Sequence, residues 1–382
     1  MANNRIALID SFRFIAIVFV LFYHLTNPWV AKYPHQDFFV HIFKYGYLGV
    51  YFFFIISGFV ICNTLENTTS IGSFFRKRFA RLFPAMLLCT SLIFLIVHLF
   101  DNENQFVNSG QIANLLPSLT FINPKLWTLL TGRNFNWING SYWSLWVEVQ
   151  FYIVASGVYF FNTLHFRRNI FIIGIGIALS KYIPIEILNH CEKSLPRSIT
   201  AFLGSWRFYN EIFNITFFIN WFLCGAAFHY LYTGVKNRAS LINVVWLLVV
   251  VLCLIKDLND FFADKFLETM IAGSIMFALF LLLIYYEKSL SFLQRSFICR
   301  IGVISYSIYL IHEQIGILLI NKYEGYLGKW SGVSPFIVII IVICYAELSY
   351  RFYEKKMSKI LNKGIAVLSF YRSRDNSSVP KP

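Results

Sequence analysis

The chain has 382 residues, of which 57% are hydrophobic, 19% aromatic and only 14% charged, and its mean hydropathy is +0.60. Soluble domains carry about a quarter charged residues, so a soluble fold is excluded. The formal net charge of +14 raises nucleic acid as a partner, but in so apolar a chain lysine and arginine are read first as determinants of membrane topology.

A hydrocarbon core of about 30 Å demands some 20 apolar residues of a helix. Runs of that kind fall near 12–31, 45–63, 79–100, 143–161, 169–187, 212–233, 240–256, 268–286, 298–320 and 334–352. They predict an all-α polytopic membrane protein of about ten transmembrane helices. Only Arg5 precedes the first run and no small-residue cleavage site follows it, so it is expected to be the first span rather than a cleavable signal peptide.

With the N-terminus in the cytoplasm, the basic residues sort to one side: Arg76, Lys77, Arg78 and Arg81, then Arg167 and Arg168, Lys236 and Arg238, Lys288, Arg295 and Arg300, and the tail from Arg351 onward. The opposite 257–267 loop is acidic at Asp257, Asp260 and Asp264. This asymmetry predicts that both termini are cytoplasmic and removes the need for a nucleic-acid partner. Residues 1–360 read as one transmembrane domain. A polar tail, 361–382, is expected to be partly disordered, and 101–142 is the long outer connection. The seven cysteines include no CxxC pair, so they are expected to be packing residues, and no metal is expected.

An ionisable group inside the hydrocarbon costs at least about 2.5 kcal/mol on insertion scales, which makes each one a functional candidate. Arg13 and His24 lie on span 1, Glu148 on span 4, His312 and Glu313 on span 9, and Glu347 on span 10. Arg13 and His24 are eleven residues apart, three turns plus about 20°, so they share one helix face about 16 Å apart along the axis. Counting turns from each helix end places His24, Glu148 and His312 at comparable depth in the outer part of the membrane. The plainer alternative is that such groups are satisfied by neighbouring helices or snorkel to an interface.

The cluster Phe75-Arg76-Lys77-Arg78-Phe79-Ala80-Arg81 stands where span 3 is expected to begin. Arg78 and Arg81 are one turn apart and suit a phosphate-bearing ligand, because guanidinium forks engage phosphate oxygens at two points. A purely topogenic cluster beside anionic lipid is the alternative.

Taken together, six segments resemble the acyltransferase family 3 membrane proteins, typified by bacterial O-acetyltransferases of surface polysaccharides. They are Ile9-Asp10-Ser11-Phe12-Arg13 with His24 beyond it; Phe54-Ile55-Ile56-Ser57-Gly58-Phe59; Arg78-Phe79-Ala80-Arg81; Tyr142-Trp143-Ser144-Leu145-Trp146-Val147-Glu148; Ser305-Tyr306-Ser307-Ile308-Tyr309-Leu310-Ile311-His312; and Tyr350-Arg351-Phe352-Tyr353-Glu354-Lys355. The usual Asp-Gly-Leu-Arg opening reads Asp10-Ser11-Phe12-Arg13 here. The periplasmic esterase-like domain of some relatives is not found, so no partner domain is expected in the chain.

The resemblance implies acetyl-coenzyme A as cytoplasmic acyl donor and, as acceptor, a hydroxyl of a surface glycan or lipid-linked saccharide, at a bacterial inner membrane and in contact with membrane lipid. On that basis Arg13, Arg78 and Arg81 are expected to hold the donor, Trp143, Ser144 and His312 to contact the acceptor, and His24 to act as catalytic base with Glu148 orienting it or the acceptor. Histidine titrates near the working pH, which suits it to proton transfer. An acylated His24 intermediate is the other route. A transporter or flippase with a His/Glu proton relay is the alternative of a different class. The sequence is silent on the acyl length, the acceptor sugar and the oligomeric state.

Overall fold

The computed structural model describes residues 6–27, 43–182, 196–237, 241–261 and 263–363. The expected disordered tail lies outside the described residues beyond position 363, as do Cys191 and Arg238. Among the described residues thirteen α-helices occur: α1 Ala7–Thr26, α2 Leu48–Glu66, α3 Ile71–Phe100, α4 Leu115–Thr120, α5 Pro124–Thr131, α6 Trp143–Phe161, α7 Phe166–Ser180, α8 Arg197–Ile212, α9 Ile215–Asn237, α10 Leu241–Phe261, α11 Phe266–Tyr285, α12 Ser296–Leu327 and α13 Ser334–Ser349. A π-helical turn, Tyr350–Glu354, carries α13 into a final helical stretch. Among the described residues there is no strand, and nine spans are long and apolar enough to cross a membrane. The chain is therefore a multi-pass α-helical membrane protein.

The predicted spans hold with three differences. The fifth run overlaps α7, 15 residues long and so about 22 Å at 1.5 Å per residue, while positions 183–187 of that run lie outside the described residues. Helix α8 was not visible as an apolar run, because Asn210 and Glu211 interrupt it. Helix α3 starts at Ile71, where the Ser70 hydroxyl accepts the Ser73 N–H at 3.2 Å and caps the first turn. The basic cluster 76–81 is thus inside a helix, and Pro84 is absorbed within it, rather than marking a loop and a helix start.

Two close crossings fix the centre of the bundle. Helix α2 meets α9 through Gly58 and Gly225; a Cβ on either would lie 2.0 Å or less from a carbonyl oxygen of the other helix, that of Phe222 or of Ile55. Helix α12 meets α1 at Gly302, where a Cβ would stand 1.8 Å from the Asp10 carbonyl oxygen. Small residues permit such backbone approach in membranes, where close packing drives helix association. Helices α1, α2, α9 and α12 form the inner ring, with α3 and α13 against α12. Cys62, Cys89 and Cys224 are buried packing residues.

The 101–142 connection is folded. The Asp101 carboxylate caps the backbone N–H groups of Gln105 and Phe106, and the Ser109 hydroxyl donates to the Ile138 carbonyl. Asn139 Nδ2 donates to the Leu310 carbonyl at 3.0 Å, pinning this cap onto α12.

Candidate active site

A narrow cavity of about 90 Å³ runs between α1, α2, α3, α6 and α12. Arg13, Arg78, Arg81, Glu148, Ser144 and Tyr309 stand on its wall. The structure thus brings the three arginines together with Glu148 and Ser144 from three separate helices.

The arginines differ in kind. Arg78 is buried, donates to Thr64 Oγ1 at 2.6 Å and lies over the rings of Phe74 and Tyr152, 5.6 and 5.5 Å from their centroids. Arg81, one turn on, is exposed. Arg13 bonds the Asp10 carboxylate at 2.9 Å. Glu148 is held by two hydroxyls: Ser57 donates to its Oε1 at 2.7 Å and Tyr152 at 2.5 Å. Tyr152 is one turn beyond Glu148 on α6, so a single tyrosine links the carboxylate to the Arg78 guanidinium.

The histidines form a second group. His24 and His312 stand edge to face with ring centroids 4.8 Å apart. His24 Nδ1 lies 3.0 Å from the Val20 carbonyl oxygen, and His312 Nδ1 lies 2.7 Å from that of Tyr309. A carbonyl only accepts, so each Nδ1 carries the proton and each Nε2 is the lone-pair nitrogen. His312 Nε2 is buried with no hydrogen-bond partner among the described residues.

Tyr309 joins the two groups. Its ring is 5.5 Å from that of His312, while its hydroxyl donates to the Ser141 carbonyl at 2.7 Å and lies 2.7 Å from Ser144 Oγ. Tyr309 is three residues below His312 and Glu148 one turn below Ser144, so Glu148 sits about 10 Å nearer the arginine end than the histidines. The expected equal depth of His24 and Glu148 is corrected: the structure groups His24 with His312 and Glu148 with Arg78. Turn counting from uncertain helix ends could not resolve two turns.

Trp143 packs between Phe54 and Phe218, centroids 6.3 and 5.1 Å away, beside the cavity rather than on its wall. Glu313 accepts the Ser141 N–H at 3.2 Å. Glu347 bonds Arg300 at 2.7 Å and also Arg351. Ser57, Tyr152 and Tyr309 were missed as site residues. A signal was available for Tyr152, which repeats the face of Glu148, and for Tyr309, one turn before His312.

The family model described as acyltransferase domain matches residues 6–346, and the chain belongs to that family, acyltransferase family 3. The chain is 26% identical to O-acetyltransferase OatA of Staphylococcus aureus (strain NCTC 8325 / PS 47) over 95% of this chain and 58% of that protein. It is 23% identical to peptidoglycan O-acetyltransferase OatA of Listeria monocytogenes over 92% of this chain and 55% of that one. The chain therefore spans little more than half the length of these relatives. No solved structure matches it.

Proposed function

We propose that this chain moves an acetyl group from cytoplasmic acetyl-coenzyme A to a hydroxyl of a glycan or lipid-linked saccharide on the far side of a bacterial cytoplasmic membrane. The observation that carries this reading is the single narrow cavity on which Arg13, Arg78 and Arg81 stand at one end and Ser144 and Tyr309 at the other. Guanidinium groups suit a donor's phosphates.

In this reading both termini face the cytoplasm, as the loop charges require. Glu148, fixed by Ser57 and Tyr152, supplies the negative charge against which Arg78 is held. The thioester carbonyl waits near Ser144 and Tyr309. His24 Nε2 takes the proton of the acceptor hydroxyl as its oxygen attacks that carbonyl, and the coenzyme A thiolate leaves; the Nδ1–H bond to Val20 keeps Nε2 in its basic form. Trp143, Ser144 and His312 flank the acceptor side. Trapping an acetyl group on His24 with acceptor withheld would replace direct attack by the covalent route.

The test is purified protein in lipid vesicles, given acetyl-labelled acetyl-coenzyme A inside and candidate glycans outside. Label appearing on the glycan supports the reading, and movement of an unaltered glycan would overturn it. Mass spectrometry of surface glycans with and without the protein identifies the acceptor.

A further inference from the structure

Below the narrow cavity lies a wider chamber of about 460 Å³, within the range of small-molecule sites. The two share Arg13, Val60 and Arg81 on their walls, so they are consecutive compartments of one path. Its other walls come from the start of α1, from Phe59 and Asn63 on α2, from Val303 on α12 and from the stretch after α13, which contributes Glu354, Lys355 and Lys359.

The chamber's carboxylates are already committed. Asp10 is bonded by Arg13 at 2.9 Å, and Glu354 Oε1 accepts from Ser307 at 2.7 Å and Ser349 at 2.5 Å. The π-helical turn Tyr350–Glu354 makes this possible, because its wider turn rotates Glu354 inward to 8% exposure while the next turn resumes α-helical spacing. Lys355 and Lys359 follow at i and i+4, on one face one turn apart. Both are exposed, and among the described residues neither they nor Arg81 form an ion pair. Three cations without an ion pair among the described residues therefore face one chamber, whose acids are held by Arg13 at Asp10 and by two hydroxyls at Glu354.

We infer that this chamber seats the nucleotide end of the donor, with Lys355 and Lys359 binding the ribose 3′-phosphate. The inference rests on the donor reading above and adds a specificity: the pair selects a 3′-phosphorylated thioester over its dephosphorylated form. The geometry divides the ligand by bulk and charge. The nucleotide and its phosphates fill the wide chamber, Arg81 at the shared wall takes the diphosphate, and the pantetheine arm enters the narrow cavity past Arg78.

The test compares binding of acetyl-coenzyme A and 3′-dephospho-acetyl-coenzyme A to the full chain in nanodiscs, for wild type and Lys355→Gln/Lys359→Gln. Charged hydrogen bonds of this kind predict wild-type preference for the 3′-phosphorylated donor of about ten- to a hundredfold. In the double variant that preference falls to within about twofold, while affinity for the dephospho form is unchanged. Equal weakening of both donors, or an undiminished preference, overturns the assignment to the lysines with the donor reading intact. Wild type that binds neither thioester overturns the donor reading itself. Both lysines are exposed, so the variant folds; Lys355→Arg/Lys359→Arg, which keeps the charge, retains the preference.

Discussion

The imidazoles of His24 and His312, on α1 and α12, stand 4.8 Å apart, and each gives its Nδ1 proton to a carbonyl of its own helix. In their neutral form the two rings thereby hold the same tautomer, with Nε2 as the lone-pair nitrogen of each. His24→Ala should insert normally, since alanine does not hinder membrane insertion. Acyl transfer should fall at least about a hundredfold, the low end for losing a general acid–base group. Donor binding, measured by titration in nanodiscs, should stay near wild type, because the proposed reading puts the donor's phosphates at the arginine end. Near-normal transfer would demote His24 to a packing residue.

The two arginines should separate experimentally. Arg81 is exposed and unpaired among the described residues, so Arg81→Ala should weaken acetyl-coenzyme A binding about ten- to a hundredfold, worth about 1.5–3 kcal/mol, with the melting temperature unchanged. Arg78 is buried, bonded to Thr64 and packed on two rings. Arg78→Ala should therefore lose donor affinity and also lower thermal stability. Arg78→Lys should rescue in part, restoring charge without the fork.

Gly302 supports the site from a distance. Gly302→Ala places a methyl 1.8 Å from the Asp10 carbonyl oxygen, and overpacking of this sort typically costs about 1–3 kcal/mol. Helix α12 must shift off α1, which separates His312 from His24. Thermal unfolding should show the loss of stability and transfer assays a disproportionate loss of rate. A wild-type rate in a destabilised variant would show that the histidine contact is dispensable.

Far from the cavity, Lys181 and Asp257 form a buried ion pair at 2.7 Å, with side chains 1% and 4% exposed. Tyr182 and Asn220 also donate to that carboxylate. Lys181→Ala leaves a buried charge without its counter-ion and should destabilise by about 3–5 kcal/mol, whereas Lys181→Met with Asp257→Leu should recover most of that loss. Chemical unfolding in detergent checks both.

Apolar run length made the spans legible, because a bilayer imposes the same length on every crossing helix. The candidate site was legible in part: Arg13 and Glu148, read as intramembrane charges, and Arg78 and Arg81, read as a one-turn basic pair, converge on one cavity. Two features were harder to read. Neighbour relations are set by backbone approach at Gly58, Gly225 and Gly302, and a lone glycine in a hydrophobic run looks the same whether or not another helix crosses it. The role of Tyr309 was signalled only by its place one turn before His312, since an aromatic residue in a span is ordinarily packing and its contacts with Ser144 and His312 are what reveal a junction.

That junction bears on how the membrane keeps its electrical seal. A polar path that crossed the bilayer openly would leak protons, each carrying about 2.3 kcal/mol per 100 mV of membrane potential. Tyr309, anchored to Ser141 and Ser144, stands between the arginine-lined cavity and the His24–His312 pair. Only an acyl group a few atoms long has to pass it, and it passes as part of a bond exchange rather than through standing water. In the proposed reaction, chemistry can thus cross this protein without ions following.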